Sequence, residues 1–291
     1  MDGMQEREKE FINTFSNSDI VIDDLPSKIE LPMHSRFLTN DIGIKYIGNM
    51  LKGIDVRLYL AYLKMLKDKI KFIHDYDVEK SICISEVAFG ITINVDIKLP
   101  YIENGMDILA TSHELGHGIK SFTKVNNERY LHSNTIYDET ISILFGRLCL
   151  ERYVKDFGFD IYAQQFEALN IRNAVNCLKK IKSLLPKYIG KQDEIYKDAI
   201  YKLISYPIGI SLANVYDNFD RKQKEEYIEF VSKFLLNIKH INFEMILEYF
   251  DIPFDATFYV ENFKEYIQKF ECENRNKLVL GGLKNNGKFN R

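Results

Sequence analysis

No tryptophan occurs in the chain, and its four cysteines, Cys83, Cys149, Cys177 and Cys272, stand far apart with no C-x-x-C pair among them. Neither a cysteine-ligated zinc module nor a disulfide framework is indicated, and isolated thiols are usually small buried hydrophobes. No apolar run approaches the roughly 20 residues that a membrane-crossing helix needs. Neither sign of charge dominates: 39 basic and 42 acidic residues leave a formal −3, so nothing draws the chain generally toward nucleic acid or anionic membrane. The first ten residues are acidic and polar where a secretory leader would be basic and then apolar, which makes a cytoplasmic location the expectation. There is no internal repeat. What remains is 291 residues, 46% hydrophobic, with 20 Phe and 18 Tyr, enough to bury a sizeable core.

Against that ordinary background one stretch stands out: His113-Glu114-Leu115-Gly116-His117, which reads H-E-x-x-H and follows the helix-compatible run Met106 to Ser112. On a helix, residues i and i+4 differ by about 40° of azimuth, so both imidazoles can reach one metal ion, while Glu114 lies about 100° away from His113. Neutral imidazole is a good zinc ligand, and a catalytic zinc takes three protein ligands plus an open position for water. Glu114, off the ligand direction, is placed to move a proton to and from that water. Gly116 and Gly118 each cost a helix interior about 1 kcal/mol relative to alanine, which makes sense where another backbone must come close.

The third ligand must come from downstream. Position 123, where a histidine would complete the metzincin spacing, is Thr123, and position 120, which would need glycine, is Lys120, so that class is excluded. Glu139 opens a largely apolar helical stretch, Thr135 to Gly146, and a carboxylate there needs a partner that zinc would provide. Asp138 and His132 are further candidates.

These residues resemble the oligoendopeptidase F and thimet oligopeptidase group of zinc metallopeptidases. Met106 to Ser121 resembles the active-site helix of that family, Asn127 to Ser133 its connecting loop, and Asp138-Glu139-Thr140-Ile141-Ser142 the segment in which a glutamate is followed by small residues and serine. The resemblance implies one zinc ion held by His113, His117 and Glu139. Ser205-Tyr206-Pro207-Ile208-Gly209 is similar to the family's tyrosine-x-x-glycine helix, which implies that the Tyr206 hydroxyl stabilises a developing oxyanion. The family's histidine upstream of that tyrosine is here Tyr196, and the loop between second and third ligands is shorter than usual. The similarity spans residues 81–272. Family members carry a large helical lobe ahead of this region that roofs the substrate channel, and the short segment preceding it here implies a more open cleft.

The coarse pattern predicts a mainly α chain with a small β-sheet (α+β) and, by resemblance, a zincin-like catalytic domain. Residues 1–80 are expected as a short helical segment, 81–275 as the catalytic domain and 276–291, rich in glycine and asparagine, as a disordered tail. Apolar residues from Asp41 to Tyr76 recur at helical spacing, with Gly48 and Gly53 pointing to a broken pair of helices. Residues 81–89 and 90–97 read as two strands, and strand addition is a general way to hold an extended peptide. Beyond residue 100 helices are expected over 105–124, 136–156, 160–188, 192–217, 222–237, 242–250 and 257–273, with Pro186, Gly190, Pro207 and Pro253 marking breaks or kinks. The functional expectation is a zinc-dependent endopeptidase with a peptide substrate, Glu114 as general base then acid, and Tyr206, aided by Tyr201 or Tyr196, polarising the carbonyl. Its alternatives are a gluzincin exopeptidase and a non-catalytic metal-containing peptide-binding or regulatory protein.

Overall fold

A computed structural model of the chain describes residues 10–15, 17, 40–68, 70–75, 77, 82–88, 91–99, 102, 104–121, 131–191, 194–237, 247–249, 251–253 and 255–285. Its elements run α1 (Asn40–Ile54), α2 (Val56–Asp68), β1 (Ile70–His74), β2 (Ile82–Ala88), β3 (Ile91–Leu99), α3 (Gly105–Ser121), α4 (Leu131–Phe157), α5 (Ile161–Lys191), α6 (Glu194–Asn218), α7 (Arg221–Asn237) and α8 (Ala256–Asn285). The described part is thus mainly helical with one small sheet.

Local chemistry sets several of the helix starts. Asn104 accepts from the backbone N–H groups of Met106 and Asp107 at 2.8 and 3.2 Å, while the Asp107 carboxylate accepts from Asn104 N at 3.2 Å, a reciprocal cap that fixes where α3 begins. Asp220 and Gln223 close the same box at the head of α7, and Asp160 caps α5. Asp55 breaks the first helical stretch in two, accepting from Arg57 N at 2.7 Å to start α2.

Three strands form rather than two. The helical pattern stops at Asp68, and Ile70–His74 pairs parallel with β3, while β2 pairs antiparallel on its other side, giving the order β1-β3-β2. Ile70 and Ile73 fit helical spacing while Ile70 and Phe72 fit the alternation of a strand, so tertiary pairing decides. This pairing also joins the segment before residue 80 to the one after it. Central β3 buries Val95 and Ile97 completely. Among the described residues β2 is an edge, with a bulge between Glu86 and Val87.

Pro207 sits inside α6 without ending it, and α5 likewise continues past Pro186. An interior proline costs a helix about 3 kcal/mol. Tertiary burial of Ile204, Ile208, Ile210 and Leu212 along α6 outweighs that cost. At its far end α8 runs on to Asn285, taking in residues 276–285 for which the composition suggests disorder. The stretch Lys277-Leu278-Val279-Leu280 contains no proline and gives the helix no stop before Gly281 and Gly282.

Arg147 ties the bundle together. It donates to both Asp217 carboxylate oxygens at 2.7 Å and to Glu167, which also accepts from the Tyr266 hydroxyl at 2.9 Å, so α4, α5, α6 and α8 share one buried network.

Candidate metal centre

Helix α3 lies against both β2 and β3 on one side and α4 on another. Two glycines permit this. A Cβ on Gly116 would come within 2.7 Å of the Ser142 Cα, and one on Gly118 within 3.3 Å of Ile70 Cδ1 and Val95 Cγ1. The first contact brings the backbone of α4 onto the second turn of the H-E-x-x-H motif, as the glycine content there suggests. Gly209 does the same between α6 and α4, where a Cβ would lie 2.6 Å from Ile143 Cδ1, and the Thr140 hydroxyl donates to the Ser205 carbonyl at 3.3 Å. Glu139 and Tyr206, each next to one of these contacts in sequence, are thereby delivered to the same place.

The His113 and His117 rings are 5.0 Å apart at 82° to one another. Glu139 Oε2 sits between them, 3.5 Å from His113 Nε2 and 3.4 Å from His117 Nε2. At that range the contacts are too long for good hydrogen bonds, and Oε2 is buried without a hydrogen-bond partner. The spacing fits another purpose. Ligands 2.0–2.1 Å from a tetrahedral zinc are about 3.3–3.5 Å from each other, and the two distances from Glu139 Oε2 match that edge length. Burial opposes a charge on Glu139, yet the two imidazoles override it and hold its carboxyl well below the usual carboxylate range.

Glu114 also lies near the pair, and His113, Glu114 and His117 on their own form a group whose ligand atoms are within 4.8 Å of one another. Two carboxylates therefore compete for the third position. Glu139 is the better candidate, because Glu114 Oε2 is already engaged, accepting from the backbone N–H of Cys83 at 2.9 Å. The His113, His117 and Glu139 side chains are 13%, 20% and 18% exposed, neither sealed like a structural metal site nor solvated like a surface cluster. His113 Nδ1 is buried without a partner.

Tyr206 reaches the same centre. Burial pushes its hydroxyl pKa up, and the Glu139 charge, a hydrogen bond to Glu139, and smaller effects of Cys177 and Glu114 push it further, so the phenol stays a protonated donor at Glu139. Tyr201 is buried. The side chains of His132, Asp138 and Tyr196 lie outside the described residues, as do residues 127–130 of the expected connecting loop, while its last three, Leu131 to Ser133, instead open α4. Sequence reasoning missed two neighbours. One is the Cys83 amide, a backbone group with no signature in the sequence. The other is Cys177, read there only as a packing residue, whose thiol is raised to about 11 by burial, with Lys180 opposing and Glu139 adding to the rise.

A cavity of about 420 Å³ lies elsewhere, along α4 around Arg147, Glu167 and Asp217. These charges are committed to one another, so this cavity is distinct from the centre holding the unpartnered carboxylate oxygen. Scanned against protein-family models, curated proteins and solved structures, the chain matches none.

Gly116→Ala tests the geometry directly. Alanine is favoured in a helix by about 1 kcal/mol, but its methyl would enter the Ser142 backbone, and overpacking costs about 1–3 kcal/mol. The variant is expected to unfold at lower denaturant than wild type and to bind zinc more weakly, because α4 must retreat and carry Glu139 with it. Chemical denaturation and zinc titration of the same preparation check both effects, and a variant more stable than wild type would contradict the close approach.

Proposed function

We propose that the chain is a compact zinc-dependent endopeptidase with a zincin-like centre, acting on oligopeptides or on an extended segment of a larger peptide, in keeping with its resemblance to the oligoendopeptidase F group. The observation that carries this reading is the placement of Glu139 Oε2, unpartnered and 3.4–3.5 Å from both histidine Nε2 atoms. His113, His117 and Glu139 would hold the ion. Zinc, when bound, supplies a Lewis acid for the scissile carbonyl and lowers the pKa of water toward neutrality.

The chain's own residues do the rest. Glu114 takes the proton from the attacking water on one carboxylate oxygen and passes it to the departing amine, so the carboxylate returns to its starting charge. In the free protein the Cys83 N–H holds the other oxygen through the 2.9 Å bond. Tyr206, kept protonated by burial and the neighbouring carboxylates, donates its hydroxyl hydrogen to the carbonyl oxygen as negative charge grows there. Tyr206→Phe is expected to lower kcat by about 10²–10³-fold, the usual cost of removing one oxyanion donor, with zinc still bound and its affinity lowered by no more than the roughly 10–100-fold that loss of an outer partner costs. Single-turnover cleavage of a capped peptide measures it, and an unchanged kcat would leave Tyr206 as a packing residue.

The reading as a whole is tested by mapping cuts in a library of acetylated, amidated peptides by mass spectrometry, before and after chelation and after returning zinc. Internal cuts that disappear with chelation and come back with zinc are expected. Metal uptake without any cut would turn the assignment toward a peptide-binding or regulatory role.

A further inference from the structure

The hydrogen bond from Cys83 N–H to Glu114 Oε2 joins an edge strand to the carboxylate that must move the proton. β2 pairs with β3 on one side, with Cys83 opposite Ile97. In an antiparallel ladder successive residues turn their backbone groups alternately toward and away from the partner strand. An N–H given to Glu114 on α3 therefore lies on the side of β2 away from β3. That is the side on which an added strand would pair, and the N–H is the kind of donor that an added strand uses.

Resting on the peptidase reading above, we propose that Glu114 and the main chain of an incoming peptide compete for the Cys83 amide, so that Glu114 latches the edge of β2 until a peptide displaces it. One N–H cannot serve both acceptors at full strength. In the free protein Glu114 holds it, with one carboxylate oxygen turned to the strand. When an extended peptide adds to the edge, its carbonyl accepts the Cys83 N–H and Glu114 is released toward the imidazole pair. No proton changes hands in the exchange: one acceptor replaces another. The general base is thereby freed only when a main chain is seated, and every peptide must first displace a charge-assisted bond. Removing the carboxylate should strengthen peptide binding by about tenfold, the lower end of what a hydrogen bond to a charged group contributes.

The test uses full-length, metal-free protein, so that binding is read without turnover. Labelling with ¹⁵N-cysteine gives four amide signals, from Cys83, Cys149, Cys177 and Cys272, with Cys83 assigned by its loss in Cys83→Ser. Glu114→Ala should move the Cys83 signal upfield, as expected for an amide that loses a charged acceptor. A library of acetylated, amidated octapeptides, with retained members identified by mass spectrometry and titrated individually, should bind Glu114→Ala about tenfold more tightly than wild type. In Cys83→Pro, which removes the donor at a position where an edge strand tolerates proline, the further change Glu114→Ala should bring no gain. A Cys83 signal indifferent to Glu114→Ala overturns the latch whatever the peptides do. A moved signal with equal peptide affinities overturns the competition while leaving the peptidase reading intact. Failure of every protein to retain any peptide overturns that reading, and the latch falls with it.

Discussion

Glu114→Gln is expected to keep its zinc and lose peptide hydrolysis by about 10²–10⁴-fold, the contribution of a positioned general acid–base group. The amide has nearly the carboxylate's shape, and its oxygen can still accept the Cys83 N–H that holds Glu114 at 2.9 Å in the wild type. It cannot take a proton from water or return one to an amine. Because Glu139 rather than Glu114 carries the unpartnered oxygen between the imidazoles, the metal site should be indifferent to the change. Zinc content by elemental analysis and kcat on one capped peptide separate the two effects. Turnover within about tenfold of wild type would remove Glu114 from the proton-transfer role, and loss of zinc in this variant would show that Glu114 is a ligand.

Glu139→Ala carries the complementary expectation. Outer partners of a metal site cost about 10–100-fold in affinity when removed, and a direct ligand should exceed that range. The two imidazoles alone form an incomplete site, so competition with a chromophoric chelator should show zinc affinity falling by more than about a hundredfold. Activity should disappear with it and should not return at stoichiometric zinc. In the metal-free state the same variant loses a buried charge whose carboxyl is held well below its ordinary range by His113 and His117, so some loss of fold stability is expected as well. A variant that binds zinc as tightly as wild type would leave the third position to Glu114 or to a group outside the described residues.

How much of this was legible beforehand differs from residue to residue. The H-E-x-x-H helix was readable because its chemistry repeats on a single element, with one turn between the imidazoles, and because Asn104 and Asp107 set its start locally. Gly116 signalled a close neighbour without naming it; that the neighbour is Ser142 on α4 depends on how three helices and a sheet share the core. Glu139 was inferred partly from resemblance. Its placement between the histidines comes from the contacts of Gly116 with Ser142 and Gly209 with Ile143, which are long-range in the chain. β1 was missed because Ile70 and Ile73 satisfy a helical pattern while Ile70 and Phe72 satisfy an extended one, and only pairing with β3 distinguishes them. Pro207 left open a break or a kink within the helix expected over 192–217, and it is burial of the surrounding residues, which no local propensity reports, that carries the helix through it. The Arg147 network draws on four helices, and no spacing in the chain announces it.

By itself the sequence determined which chemistry is available: two imidazoles on one helical face with a carboxylate about 100° round from the first, a second acidic residue on the next apolar helix, and a predominantly helical chain with a small sheet. Those follow from periodicity and side-chain type, which act over a few residues. Only the tertiary structure decided which carboxylate stands between the imidazoles and which is held by a strand. That choice turns on a glycine contact between two helices and on an amide at a sheet edge. Both come from packing and backbone hydrogen bonding between segments distant in the chain, and local pattern does not encode them.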